Sequence, residues 1–382
     1  MFALQDQDTP RAGARDLTRN GALARRLRRT AAGAVCAAAV ALPLAGAATA
    51  QAATSAPHTL TNVWTSLAPQ NGWFDYQNHT AAPAVTNIGG IVHLKGAIAT
   101  FGSNPVPFTL PVGDRPANEV HVQVDLFAAV AGQLDITPSG VVTVSSEQGW
   151  SAAQGFTGLD GVTFAASGTS FTPLTPLNGW TSAGSGFASP AARTINGIVH
   201  LRGAIAASNP TGEAFILPTA FRPNHEVYVP VDLCNANSGR LNISPTGVVD
   251  VVAEGGNSSN ADCGTSLDGA WFAPSETSFT QLTLQNGWHN YEDGTATAAV
   301  RKISGIVHLE GAIATSGSSQ LVAFTLPVGF RPAHNVYVSV DMNNASKGHV
   351  LIDSNGQVTV FAEGNPSDAT MFTSLDGVSF AP

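Results

Sequence analysis

Apolar and polar residues alternate at a period of two over most of this chain, the spacing that places one face of a strand in a core and the other outside it. Val120, Val122 and Val124 alternate with polar residues, as do Val227, Val229 and Val231, and Val336, Val338 and Val340. Further short strands are predicted at Phe108 and Leu110, at Leu134 and Ile136, and at Val142 and Val144, with matching residues later in the chain. Glycine, proline, asparagine and aspartate separate these runs, and beyond the first fifty residues no window keeps a helical period. Short strands punctuated by turns at this frequency predict an all-β protein of antiparallel sandwiches, jelly-roll-like in style. No crossover helix is available for a parallel sheet.

The strand pattern is written three times. Gly-Ile-Val-His-Leu-x-Gly-Ala-Ile-Ala begins at Gly90, Gly197 and Gly305, intervals of 107 and 108 residues, with Lys95, Arg202 and Glu310 at the variable place. Alternation puts Val92 and Leu94 on one face of this strand and Ile91, His93 and Lys95 on the other. Before it stands Asn-Gly-Trp, ending at Trp73, Trp180 and Trp288, where a tight turn feeds a strand. After it come Phe-x-Leu-Pro, an Arg-Pro pair and a closing Leu-Asp-Gly. The chain divides into a leader at 1–52, a spacer at 53–60 and modules at 61–166, 167–274 and 275–382. The linkers are a few residues long, so neighbouring modules are expected to touch or to be held at restricted angles. The chain stops in the phase of Ala273-Pro274, so the third copy is expected to be complete.

Those four motifs in that order resemble the β-rich modules of phage tail-fibre and minor tail proteins and of related secreted bacterial proteins. The resemblance spans about residues 60–382. It implies β-sandwich folds, attachment to cell surfaces or glycans and, in fibres, trimers. It carries no set of ligand residues over to this chain.

The leader joins a basic block, Arg25 to Arg29, to an Ala-rich run ending in small residues at Ala48, Ala50 and Ala52, the form of a cleaved export signal. Secretion is expected, with no membrane anchor after cleavage. Removing it leaves ten basic and twenty-three acidic residues. That balance argues against nucleic acid or anionic lipid as partner, because both need clustered cations. Cys234 and Cys263 both fall in the second module, where the other copies have Phe127 and Gly155 or Asn343 and Met371, and a disulfide between them is expected.

Among groups that could carry chemistry, His93, His200 and His308 read as structural, because the charge two residues on changes sign from copy to copy. Asp160, Asp268 and Asp376 read as turn residues, and Arg115, Arg222 and Arg331 as pins for their own loops. The tryptophans read as core plugs, with sugar-stacking platforms as the alternative. Segments that differ between copies are the better ligand candidates. Trp73, Asp75 and Tyr76 in the first module, and Trp288, Asn290 and Tyr291 in the third, form the candidate binding set, which the second module lacks. No metal or cofactor is called for and no catalytic motif is present.

Three functions fit. The foremost is a secreted, non-catalytic, multivalent protein that binds glycans or another cell-surface polymer. Second is a structural protein of a surface layer or trimeric fibre, and third a hydrolase on a β-sandwich.

Overall fold

A computed structural model describes residues 62–184, 186–276, 278–317 and 322–382. The leader at 1–52 and the spacer at 53–60 lie outside the described residues. The described residues form one compact unit.

Each module is an antiparallel sandwich. In the first, one sheet runs Thr65–Ser66, Ala84–Ile88, Ile91–Lys95, Thr163–Ala165 in spatial order. Opposite it lie the strands Phe108–Thr109, Val141–Ser146, Ala131–Ile136 and Val120–Asp125. Thr157–Gly158, Ala97–Thr100 and Trp73–Asp75 continue that layer through the bridge between Leu126 and Thr157. The second module joins the same two pieces into one seven-stranded sheet, because Val227–Leu233 pairs directly with Thr265.

The alternating valines behave as their spacing predicts. Val120, Val122 and Val124 are buried against Val85, Val92 and Leu94 of the facing sheet, and each module has such a core. Trp73, Trp180 and Trp288 are only 4 to 6% exposed and plug these cores. The Asn-Gly turns before them have positive φ at both residues, 54° and 85° at Asn71 and Gly72, which suits a two-residue hairpin. Arg115, Arg222 and Arg331 donate from Nε to the carbonyls of Leu110, Leu217 and Leu326 and pin their own loops.

Two features depart from the periodicity. Each module holds a six-residue helix, at Trp150–Gly155, Ser258–Cys263 and Pro366–Met371, under two turns and so too short to register as a helical period. The repeated strand Ile91–Lys95 is also buried on both faces, not on one. Val92 and Leu94 enter their own core, while Ile91 and His93 meet Ile198 and His200 of the second module and Ile306 and His308 of the third around a small common space.

The modules close into a ring. Glu119 bridges to Phe187 of the second module, Glu226 to Thr295 of the third, and Asn335 back to Thr80 of the first. These are matched positions taken in cyclic order, so the chain has approximate threefold symmetry. The glycines of Leu-Asp-Gly follow the same cycle, each against a valine of another module: Gly161 on Val338, Gly269 on Val122 and Gly377 on Val229. Asp160, Asp268 and Asp376 accept the amide protons of Gly96, Gly203 and Gly311 at 3.1 to 3.2 Å, so each closing turn is tied to the repeated phrase.

Candidate ligand site at the junction of the first and second modules

Threefold symmetry makes each junction a comparison for the other two. Where the third module meets the first, the ring of Phe156 packs between Tyr76 and Tyr337, 5.0 Å from each. Where the second meets the third, Phe372 packs between Tyr291 and Tyr228 at 4.9 and 5.1 Å. Both arrangements are edge-on, a favoured geometry for aromatic pairs. Where the first meets the second, the matched positions are Ala183, Gly264 and His121. Two large rings are absent from that junction, and a cavity of about 590 Å³ takes their place.

Polar groups of two modules face this space. His121, Gln133 and Ser145 come from the first module, and Asp232, Phe187 and the Cys234–Cys263 disulfide from the second. The imidazole of His121 stands edge-on to Phe187 with centroids 4.7 Å apart. Its Nε2 lies 3.2 Å from both Glu119 and Asp135, and Gln133 donates to Asp135. Asp232 is 2% exposed, its Oδ2 lies 4.0 Å from His121 Nδ1, and among the described residues no donor reaches its Oδ1. Burial, with repulsion from Asp135 added, holds Asp232 well above the ordinary carboxylate range.

The carboxylates matched to Asp232 have cations. Asp125 accepts from Lys347 and lies 3.1 Å from His349 Nδ1, while the Lys347 ammonium also donates to the carbonyls of Ala129 and Val130. Burial would raise Asp125, yet His349 and Lys347 hold it below its usual value. Asp341 accepts from Arg240 at 3.1 Å. In the open junction the matching residues are Ala131 and Gln133, and neither carries a charge.

The disulfide forms as the paired cysteines predict, with Cα atoms 5.9 Å apart. In the other modules the same closure is made by Phe127 against Gly155 and by Asn343 donating to the sulfur of Met371. The covalent link therefore stands beside Gly264, where the wall has lost its aromatic ring.

Each of the six candidate residues from the post-Trp segments is held within its own module or at a junction. Trp73 and Trp288 lie in their cores, and the indole of Trp73 donates to Asn104. Tyr76 and Tyr291 fill junctions. Asn290 accepts from the Ala298 amide, and Asp75 is half-buried with its carboxyl raised by burial. Tyr76 and Tyr291 stand at different junctions, so the six are not gathered into one patch. His121 and Gln133 were not singled out in the sequence, which placed the candidate site in the first and third modules rather than at this junction.

Two other clusters lie near the symmetry axis. His93, His200 and His308 are buried and kept neutral by desolvation, His93 down to about 4 and His308 to about 3. Glu147, Glu254 and Glu363, also matched positions, bring carboxylate oxygens within 4.8 Å of one another. Burial pushes Glu254 and Glu363 up to about 7 and raises Glu147 as well.

No helix among the described residues is long and apolar enough to cross a membrane. No family model and no curated protein matches the chain. Among solved structures, the receptor binding protein gp15 of Listeria phage PSA is 18% identical over 27% of this chain and 62% of that one, with a TM-score of 0.23. A GH43 β-xylosidase/α-arabinofuranosidase from a compost microbial metagenome is 11% identical over 82% of this chain and 95% of its own, with a TM-score of 0.16. The likeness to a phage receptor-binding protein is loose, and both scores are too low to carry an argument about function.

Proposed function

We propose that this protein is a secreted, non-catalytic binding protein that takes part of a cell-surface glycan into the junction between its first and second modules. One observation carries the reading: of three symmetry-matched junctions, two are plugged by a tyrosine–phenylalanine pair and the third is an open cavity lined by polar side chains and Phe187. A concave site with an aromatic ring and a few converging hydrogen-bonding groups suits a sugar, whose ring has apolar faces and a hydroxyl rim. The leader and the disulfide agree with an exported protein. The reading narrows three repeated sites to one, because rings fill the other two junctions.

Glycan-array screening followed by calorimetric titration tests it, using the wild type and Ala183→Tyr. The added ring restores the plug of the other junctions, so binding is expected to weaken at least tenfold, or about 1.4 kcal/mol. Thermal stability should hold or rise. Undiminished glycan binding by a folded Ala183→Tyr protein would place the ligand elsewhere and overturn the proposal.

A further inference from the structure

The symmetry that exposes the cavity also indicates what charge belongs in it. Each junction buries one carboxylate from the strand exit, Asp125, Asp232 or Asp341, at 2 to 3% exposure. A buried carboxylate is stable as an anion only beside a cation or several donors. Lys347 and His349 supply this to Asp125, and Arg240 to Asp341, each reaching across from the neighbouring module. Across the open junction the positions of Lys347 and Arg240 are taken by Ala131 and Gln133. The base nearest Asp232 is His121, which is 4.0 Å away and has Glu119 and Asp135 at 3.2 Å on its other nitrogen. One imidazole thus faces three carboxylates, and Asp232, which lines the space, has a buried Oδ1 with no protein donor among the described residues.

We propose that the ligand itself brings the missing cation, a protonated amine that donates to Asp232 in the place held elsewhere by the Lys347 ammonium, and that the ligand is therefore an amino sugar with a free amine. This rests on the glycan reading above and specifies its substrate class. The amine would enter between Gln133 and Asp232, with the sugar ring against Phe187.

Calorimetry of the full chain at about pH 6, below the ordinary range of an α-amino group, compares three probes. They are the trimer of glucosamine, its fully N-acetylated counterpart, and Nα-acetyl-lysine methylamide. The glucosamine trimer should bind at least tenfold more tightly than either of the others. Gln133→Arg, which supplies the guanidinium that Arg240 gives its own junction, should abolish that binding and raise the melting temperature. Asp232→Asn should erase the preference between the two trimers. Equal or tighter binding of the acetylated trimer overturns the amine while the cavity remains a glycan site. Equal binding of the lysine derivative overturns the sugar assignment. If neither trimer binds and Gln133→Arg leaves the melting temperature unchanged, both the amine and the site fall.

Discussion

Gly161 lies so close to Val338 of the third module that a β-carbon on the glycine would sit 2.6 Å from the valine methyl. The backbone there has φ of 82°, a conformation that costs a non-glycine residue about 1 to 2 kcal/mol. Alanine at Gly161, Gly269 or Gly377 therefore strains the turn and wedges the ring apart. The nearest contacts are 2.6, 2.8 and 3.2 Å, so Gly377→Ala should be the mildest of the three. Denaturant unfolding of the single variants checks the order, and equal losses would mean that only the turn is strained.

Lys347 is fully buried and serves Asp125 across a junction. Removing one member of a buried pair strands the other, at about 3 to 5 kcal/mol. Lys347→Met should lose stability on that scale, moderated by His349. The double variant Lys347→Met, Asp125→Asn should recover much of the loss, which thermal unfolding of the single and double variants measures.

Glu310 takes the place of Lys95 and Arg202 and is 0% exposed. Among the described residues neither of its oxygens has a hydrogen-bond donor. Burial, with Asp376 and Glu276 adding repulsion, raises its carboxyl to about 9. A raised carboxyl holds its proton in the folded state after the unfolded chain has released it. Its contribution is therefore complete below about 4.3, the unfolded value, and declines as pH rises toward 9. Glu310→Gln should match the wild type near pH 4 and exceed it increasingly up to pH 9, at most about 1.4 kcal/mol per pH unit. Melting curves across that range decide it, and parallel profiles would show that Glu310 is not the titrating group.

The disulfide spans 29 residues. On the chain-entropy model, closing that loop stabilises the protein by about 3 to 4 kcal/mol. Cys234→Ala with Cys263→Ala should lose that amount yet still fold, since the other two modules hold the same corner without a covalent bond. Melting with and without reductant gives the comparison for the wild type.

The strands, the threefold repeat and the cysteine pairing were legible because each depends on local spacing or on one copy differing from its siblings. Val120, Val122 and Val124 announce a half-buried strand by themselves. The ring was not legible, because Ile91 and His93 occupy positions that in an isolated sandwich face outward, and only contact between modules buries them. Lys347 and Asp125 are 222 residues apart, and nothing near either residue shows that they meet. The divergent segments after each Trp read as ligand candidates, and their Tyr76, Ala183 and Tyr291 lie at the junctions. In the sequence Tyr76 and Tyr291 stood out as additions, whereas in the fold they are fillers and Ala183 marks the opening.

The cyclic closure has an evolutionary corollary. A trimer of identical subunits changes all of its contacts whenever one codon changes, so a substitution that opens one boundary opens three and weakens the whole assembly. Joined in a single polypeptide, the copies are released from that constraint. Two boundaries can go on holding the particle together while the third is free to change, and the crosslink found only in the middle copy stands on the side where the rings are missing.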